Sequence, residues 1–183
     1  MKKVLFIPGF TGGKRDIYVI KRKLKNFELI YFPYDTWLNK KIEIYAKELK
    51  RFIDGFKLKN EKISLIGVSA GEIIAEYYLK FLDNKKVDKI ITICTPFGGS
   101  WLATYFFRRK KGLRQLAKNS SLLKKLRKRK LKGVKEENIW SKLDFLVPGS
   151  SGKGDHPEHT WFFIHIIIHW WPPIANKIKK FLE

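Results

Sequence analysis

The chain has 183 residues, of which 44% are hydrophobic and 15% aromatic, and carries a formal net charge of +22. That apolar content builds a core and excludes a disordered chain, while the single cysteine, Cys94, excludes a disulfide scaffold. The longest apolar run, Trp161 to Trp171, is eleven residues with two histidines inside it, well short of the ~20 a membrane span needs.

Short apolar runs alternate with longer stretches of helical period. Val4-Leu5-Phe6-Ile7 predicts a first strand that Pro8-Gly9 ends. The same run is too short for the apolar region of a signal peptide in spite of Met1-Lys2-Lys3, so a cytoplasmic protein, at most peripheral to a membrane, is expected. Leu29-Ile30-Tyr31-Phe32 predicts a second strand. Ile42, Tyr45, Leu49, Phe52, Ile53 and Phe56 then fall at i, i+3 and i+4 steps, the stripe of an amphipathic helix packed on a sheet. Ile63 to Val68 predicts a third strand, followed by a second helical stripe through Ile73, Ile74, Tyr77, Tyr78, Phe81 and Leu82. Ile90 to Cys94, a weaker run near Ile139 and Trp161 to Ile164 predict the remaining strands. Pro172-Pro173 opens a terminal helix carrying Ile174, Ile178, Phe181 and Leu182, since proline suits the first helical turn.

Unbroken apolarity marks strands covered on both faces, as in a parallel sheet. Repeated βα units therefore predict an α/β fold, a doubly wound, mostly parallel six-stranded sheet flanked by helices. The rhythm breaks between Ser100 and Lys135, where Leu113, Leu116, Leu123 and Leu126 predict helix instead of strand. One domain, residues 1–183, is expected, with a basic helical insertion at about 100–135.

Charge is concentrated in that insertion. From Phe107 to Lys135 there are 14 basic residues and no acidic one, which leaves +8 for the other 154 residues. Two readings stand: an electrostatic dock for anionic lipid headgroups or nucleic acid, or a solvated, Lys-rich helical face. Neither zinc-binding Cys/His spacing nor an aromatic RNA-binding strand pattern accompanies it, so nucleic acid is not the expected partner.

The chemistry lies after the third strand. Gly67-Val68-Ser69-Ala70-Gly71 is G-x-S-x-G between a predicted strand and a predicted helix, the context in which a serine on a sharp turn is lifted clear of the sheet. Phe6-Ile7-Pro8-Gly9-Phe10-Thr11-Gly12-Gly13 resembles the oxyanion loop after the first core strand of the α/β-hydrolases. With Thr95-Pro96-Phe97-Gly98-Gly99-Ser100, and Gly112 to Leu116 followed by Asn119 to Leu123, the chain is similar to the lid-less minimal lipases and esterases of that superfamily. It differs at Pro8, Val68 and Phe97, where the family often has histidine; none of these positions transfers a proton there. The resemblance implies a serine esterase with no cofactor, acting on small-molecule or lipid esters. Its oxyanion hole would use the backbone N–H groups of Phe10 and Ala70.

A serine needs a base, and the base a carboxylate to hold its tautomer. All four histidines, His156, His159, His165 and His169, lie in one C-terminal stretch, so the base must come from there. The family's spacing between last strand and terminal helix favours His165, seven residues before Pro172, with His169 the alternative. The family pattern of strand, Asp and apolar-Val-Pro selects Asp144 as the acid; Asp155, in a polar loop, is its rival. A zinc reading of Asp155, His156 and His159 lacks the Cys pair or H-E-x-x-H helix that would fix its geometry. Phe97, Trp101 and Trp170 are the candidate substrate contacts. They serve equally an acyl pocket, a membrane rim or ordinary packing. The other functional class left open is a catalytically idle fold that docks on anionic membrane or nucleic acid through Phe107–Lys135.

Overall fold

The computed structural model describes residues 1–58, 61–105, 109–141, 144, 147, the main chain of 157–161, and 172–183. Six strands form one sheet: β1 (Lys2–Ile7), β2 (Phe27–Tyr31), β3 (Ile63–Val68), β4 (Val87–Ile93), β5 (Lys135–Ser141) and β6 (Pro157–Trp161). Their order across the sheet is β2-β1-β3-β4-β5-β6, and every neighbouring pair is parallel. The expected α/β architecture is therefore the one observed. The helices are α1 (Tyr18–Lys23), α2 (Ile42–Asp54), α3 (Ala70–Phe81), α4 (Trp101–Tyr105), α5 (Lys111–Gln115), α6 (Ser121–Lys128) and α7 (Pro172–Leu182).

Two apolar layers hold the sheet. On one face α2, α3 and the α5–α6 segment bury Ile42, Leu49, Ile73, Tyr78, Leu113 and Leu126 against Leu5, Leu65 and Ile90. On the other, α1 and α7 bury Ile20, Leu24, Ile174 and Ile178 against Val4, Phe6, Ile66, Ile91 and Ile139. Alternate residues of each strand serve alternate layers, which is why the central strands read as continuous apolar runs. Every residue of β3 is buried. The helix α3 is buried almost all round, from Ala70 to Glu76 without interruption, because it is wedged between the sheet, α2 and α6. Lys177 on α7 lies 2.7 Å from Glu137 on β5, an ion pair with both side chains largely covered.

Two predicted elements shift. β2 is an edge strand with half-exposed residues, not one covered on both faces. The last strand is Pro157–Trp161 and meets the predicted run Trp161–Ile164 only at Trp161; residues 162–164 lie outside the described ones. Proline is tolerated there because β6 is the other edge of the sheet and Pro157 is its first residue. Between β1 and β2 a 3₁₀ turn (Lys14–Ile17) and α1 add helix too short to leave a periodic pattern.

Candidate active site

The strand order dictates where a site forms. From β1 the chain runs outward to β2, then crosses back to β3 on the other side of β1. Loops leaving the carboxyl ends of β1 and β3 therefore part in opposite directions and open a crevice, the usual ligand position in an open α/β sheet. Ser69 stands at that point, directly after β3 and as N-cap of α3.

Its backbone is strained. Ser69 has φ 51° and ψ −117°, a region an L-residue enters only when its surroundings impose it. The surroundings do so here. A Cβ on Gly67 would come within 2.6 Å of the Glu72 Cα, and one on Gly71 within 2.2 Å of the Pro8 carbonyl oxygen. The two glycines of the motif thus let the first turn of α3 close onto β3 and the end of β1. The Ser69 N–H is tied to the Ile93 carbonyl at 2.8 Å.

Strain gathers along this one edge. Among the described residues, Thr11, Leu38, Ser69 and Cys94 have positive φ without being glycine. Ser69 and Cys94 stand directly after β3 and β4, while Thr11 and Leu38 lie four and seven residues beyond β1 and β2, in the loops that leave their carboxyl ends. Asn119 is the fifth such residue and lies away from a strand end. Outliers collected on one edge point to function and not to packing convenience.

The loop after β1 reaches the serine. A Cβ on Gly9 would stand 3.2 Å from the Ser69 Cβ, so the Gly9–Phe10 segment lies across the turn that carries Ala70. The Tyr34 hydroxyl donates to the Pro8 carbonyl at 2.7 Å, and the Thr11 N–H donates to Thr36 at 3.0 Å. Tyr34 stacks on Phe32, and burial pushes its phenol well above the usual range, so it remains a donor. Phe10 packs edge-on against Trp37, ring centroids 5.7 Å apart. Both candidate oxyanion donors, the N–H groups of Phe10 and Ala70, therefore sit on segments that touch one another at Ser69.

Asp144 follows β5 by three residues and is buried, its Oδ1 accepting the Val147 N–H at 2.8 Å. Cys94 joins the two halves of the site. Its N–H donates to Ile139 at 2.8 Å, and its thiol lies against the Asp144 carboxylate and the Ser141 N–H. Burial first, and then the Asp144 charge, push that thiol well above its ordinary value, so it is an inert donor and not a nucleophile. Ser69, Ile93, Cys94 and Ile139 are thus stitched by backbone hydrogen bonds across β3, β4 and β5. His165, the rival His169, Trp170, Asp155 and His156 lie outside the described residues, as do Phe106 to Arg108. His159 falls within β6, opposite Ile139.

Phe97 is buried in the loop after β4, its carbonyl accepting from Arg127 at 3.1 Å. Trp101 is 60% exposed on α4 with its ring beside that of Tyr105. Among the described residues no group of three His, Cys, Asp or Glu side chains is placed to hold a metal. Sequence reasoning passes over Tyr34, Cys94 and Glu72. Glu72 left no signal: with Glu76 and Lys80 it falls at i, i+4 and i+8, which reads as the polar face of an amphipathic helix, yet all three are buried.

With the geometry in place, the comparisons align. The family model described as lecithin:cholesterol acyltransferase matches residues 24–152. No curated protein matches the sequence significantly. Among solved structures the chain is similar to phospholipase PlaB from Legionella pneumophila, at 16% identity and a TM-score of 0.65 over 78% of this chain. It spans 38% of that phospholipase's length. It is also similar to the mature lipase BlEst2 of Bacillus licheniformis, at 14% identity and a TM-score of 0.73, covering 99% of this chain and 91% of that one. The α/β hydrolase MGS-MChE2, from a sediment metagenome of the lagoon of Mar Chica in Morocco, gives 20% identity and a TM-score of 0.70 over 99% and 90% of the two chains. At these identities the structural likenesses establish the α/β-hydrolase fold, and the family model, which spans most of the sequence, goes one step further: the chain belongs to the lecithin:cholesterol acyltransferase family.

Proposed function

We propose that the protein is a serine hydrolase of carboxylic esters, lipid-like esters foremost, working through an acyl-enzyme on Ser69. The observation that carries the reading is the strained serine at φ 51°, set at the switch point of the sheet with the Gly9 loop against it. Ser69 Oγ attacks the ester carbonyl while His165 takes its proton, and Asp144 holds the imidazole in the receiving tautomer. The N–H groups of Phe10 and Ala70 bind the oxyanion, where loss of one such donor typically costs on the order of 10²–10³ in rate. His165 then protonates the leaving alcohol, and water releases the acid. The family's name carries transfer of the acyl group to an alcohol, which would enter where water does. No step calls for a cofactor or a metal.

Support for His165 comes from the neighbouring strands. β6 runs parallel to β5 and pairs Trp161 with Ser141, so the chain reaches the end of the sheet that carries Asp144 four residues before His165. Phe97, Trp101 and Trp170 would contact the acyl group. The whole chain, 1–183, acts in this reading as one domain with a basic insertion at about 100–135.

That insertion would hold the enzyme peripherally on an anionic membrane at the cytoplasmic face. Trp37, in the loop after β2, and Trp101 and Tyr105, on α4, are each more than half exposed. Lys110 lies over the Trp37 ring at 5.0 Å, and Lys111, Arg114 and Lys118 are exposed on the segment packed against α4. Rings with cations beside them suit the boundary of a lipid headgroup layer.

The test is intact mass after a fluorophosphonate probe, on the wild type, Ser69→Ala, His165→Ala and His169→Ala. A single adduct that Ser69→Ala abolishes is the expected result, with His165→Ala also losing it and His169→Ala keeping it. A folded wild type that takes no label overturns the hydrolase reading in favour of an idle docking module.

A further inference from the structure

Beneath the nucleophile turn lies a buried polar layer that the reaction above does not use. Glu72, three residues after Ser69, is fully buried between α3 and the sheet. Neither of its carboxyl oxygens has a hydrogen-bond partner among the described residues; the Thr95 hydroxyl lies beside it without closing a bond of normal geometry. On the facing side of the sheet Thr92 and Asn138 are register partners on β4 and β5, both fully buried. They alternate with Ile91, Ile93 and Ile139, which serve the opposite layer, so they point toward α3. The Thr92, Thr95 and Asn138 side chains likewise lack partners among the described residues.

Charge counting decides the state of Glu72. The buried stretch of α3 holds two carboxylates, Glu72 and Glu76, and one cation, Lys80. Lys80 is committed: its ammonium is 2.5 Å from Glu76 and donates to the Leu126 carbonyl at 3.1 Å. The third carboxylate near Glu72 is Glu136, half-buried on β5. An ionised Glu72 would add a second buried negative charge with no counter-ion among the described residues, which burial strongly disfavours. It would also supply only acceptors, whereas a carboxylic acid supplies one donor and can close a circuit with two hydroxyls and an amide.

We propose that Glu72 is a positioning residue: as a neutral carboxylic acid it ties the first turn of the nucleophile helix to the ends of β4 and β5, through a closed network with Thr95, Thr92 and Asn138. Ordered water fills any span too long for a direct bond. Burial first, and then the Glu76 and Glu136 carboxylates, push the Glu72 carboxyl well above its ordinary range against the pull of Lys80. The positioning role rests on the hydrolase reading; the state of Glu72 and its hold on the turn do not.

The experiment compares the wild type with Glu72→Gln, Glu72→Leu and Thr95→Val. Infrared spectra at neutral pH should show the carbonyl stretch of a protonated carboxylic acid that Glu72→Gln lacks. Hydrogen exchange at the Ser69–Gly71 amides should speed up in Glu72→Leu and Thr95→Val and stay at the wild-type rate in Glu72→Gln. Ester turnover should follow the same division, with kcat falling about tenfold or more in Glu72→Leu at unchanged KM, as for a misplaced reacting group. Stability adds a sign. The unfolded carboxyl titrates near ~4.3 and the folded one higher, so the native chain binds the extra proton between them and the urea midpoint falls as pH rises through that window. Glu72→Gln should remove that fall. A wild type without the infrared band, or turn amides that exchange at the wild-type rate in both Glu72→Leu and Thr95→Val, would overturn the proposal. Because band and exchange need no substrate, they decide it even where fluorophosphonate labelling fails.

Discussion

Ser69 shows how far one residue's backbone carries an argument. Its spacing within G-x-S-x-G was legible because glycines two before and two after are demanded by contacts that a sequence can anticipate: Gly67 against Glu72 and Gly71 against Pro8. The size of the strain was not legible, since φ 51° is imposed by β1 and β4, which are remote in sequence. That strain is measurable. Replacing Ser69 by glycine removes the Cβ that makes the conformation costly, and strain of this kind runs to about 1–3 kcal/mol, offset in part by the greater freedom of an unfolded glycine. Ser69→Gly should therefore raise stability by about 1 kcal/mol in urea unfolding while Ser69→Ala does not. Both should lose the fluorophosphonate adduct, which separates the nucleophile from the strain it sits in. Cys94 and Glu72 were illegible for a related reason. Each matters through a partner in a loop remote in sequence, Asp144 after β5 for one and Thr95 after β4 for the other, and no local pattern records such a meeting.

At the scale of elements, what the sequence told depended on burial. β3 and α3 were placed nearly to the residue because each carries a dense apolar run that the fold buries, although α3 also buries Glu72, Glu76 and Lys80, which no apolar pattern announces. The edges were harder. β6 begins at Pro157-Glu158, residues depleted in strands, and its apolar run Trp161 to Ile164 starts where the described strand ends. An edge strand needs only one neighbour's hydrogen bonds, so composition constrains it less. The contact that most defines the site is between elements: the first turn of α3 packs so close to the end of β1 that Gly71 leaves no room for a methyl group. Gly71→Ala would press a Cβ against the Pro8 and Ile7 carbonyls, and backbone cannot yield as a side chain can. The expected cost is about 3 kcal/mol, at the upper end for overpacking. It would be read as a lowered urea midpoint with an unchanged slope, together with slower labelling of Ser69 as the Gly9 loop is pushed away. A variant as stable and as reactive as the wild type would show that the two elements are not held in this contact.

At the scale of the whole molecule, the charge of +22 is divided unevenly, and its position relative to the crevice gives it meaning. Helix α6 buries Leu122, Leu123 and Leu126, ties Arg127 to the Phe97 carbonyl and leaves Lys124, Lys125 and Lys128 exposed, so those three lysines are solvated whatever else they do. The cations nearer the site are different, because they stand among exposed rings. Ser100 bonds to Leu116, Lys118 to the Thr104 hydroxyl and Gly112 to Leu38, which fixes α4, α5 and the Trp37 loop to one another beside the carboxyl ends of the strands. A flat anionic surface meeting that region would engage Lys111, Arg114 and Lys118 together, each worth about 1 kcal/mol near a charged bilayer. Changing all three to glutamine should weaken binding to vesicles containing phosphatidylglycerol on the order of 10²-fold, and 0.5 M salt should do much of the same to the wild type. The aromatic part resists salt, so Tyr105→Ala should lower the binding that remains at high ionic strength. Hydrolysis of a small soluble ester should be unaffected by either change, since none of these four side chains belongs to the reacting centre. Vesicle binding that ignores Tyr105 and is matched by DNA at equal salt would instead describe a general polyanion surface, with the crevice facing away from its lipid.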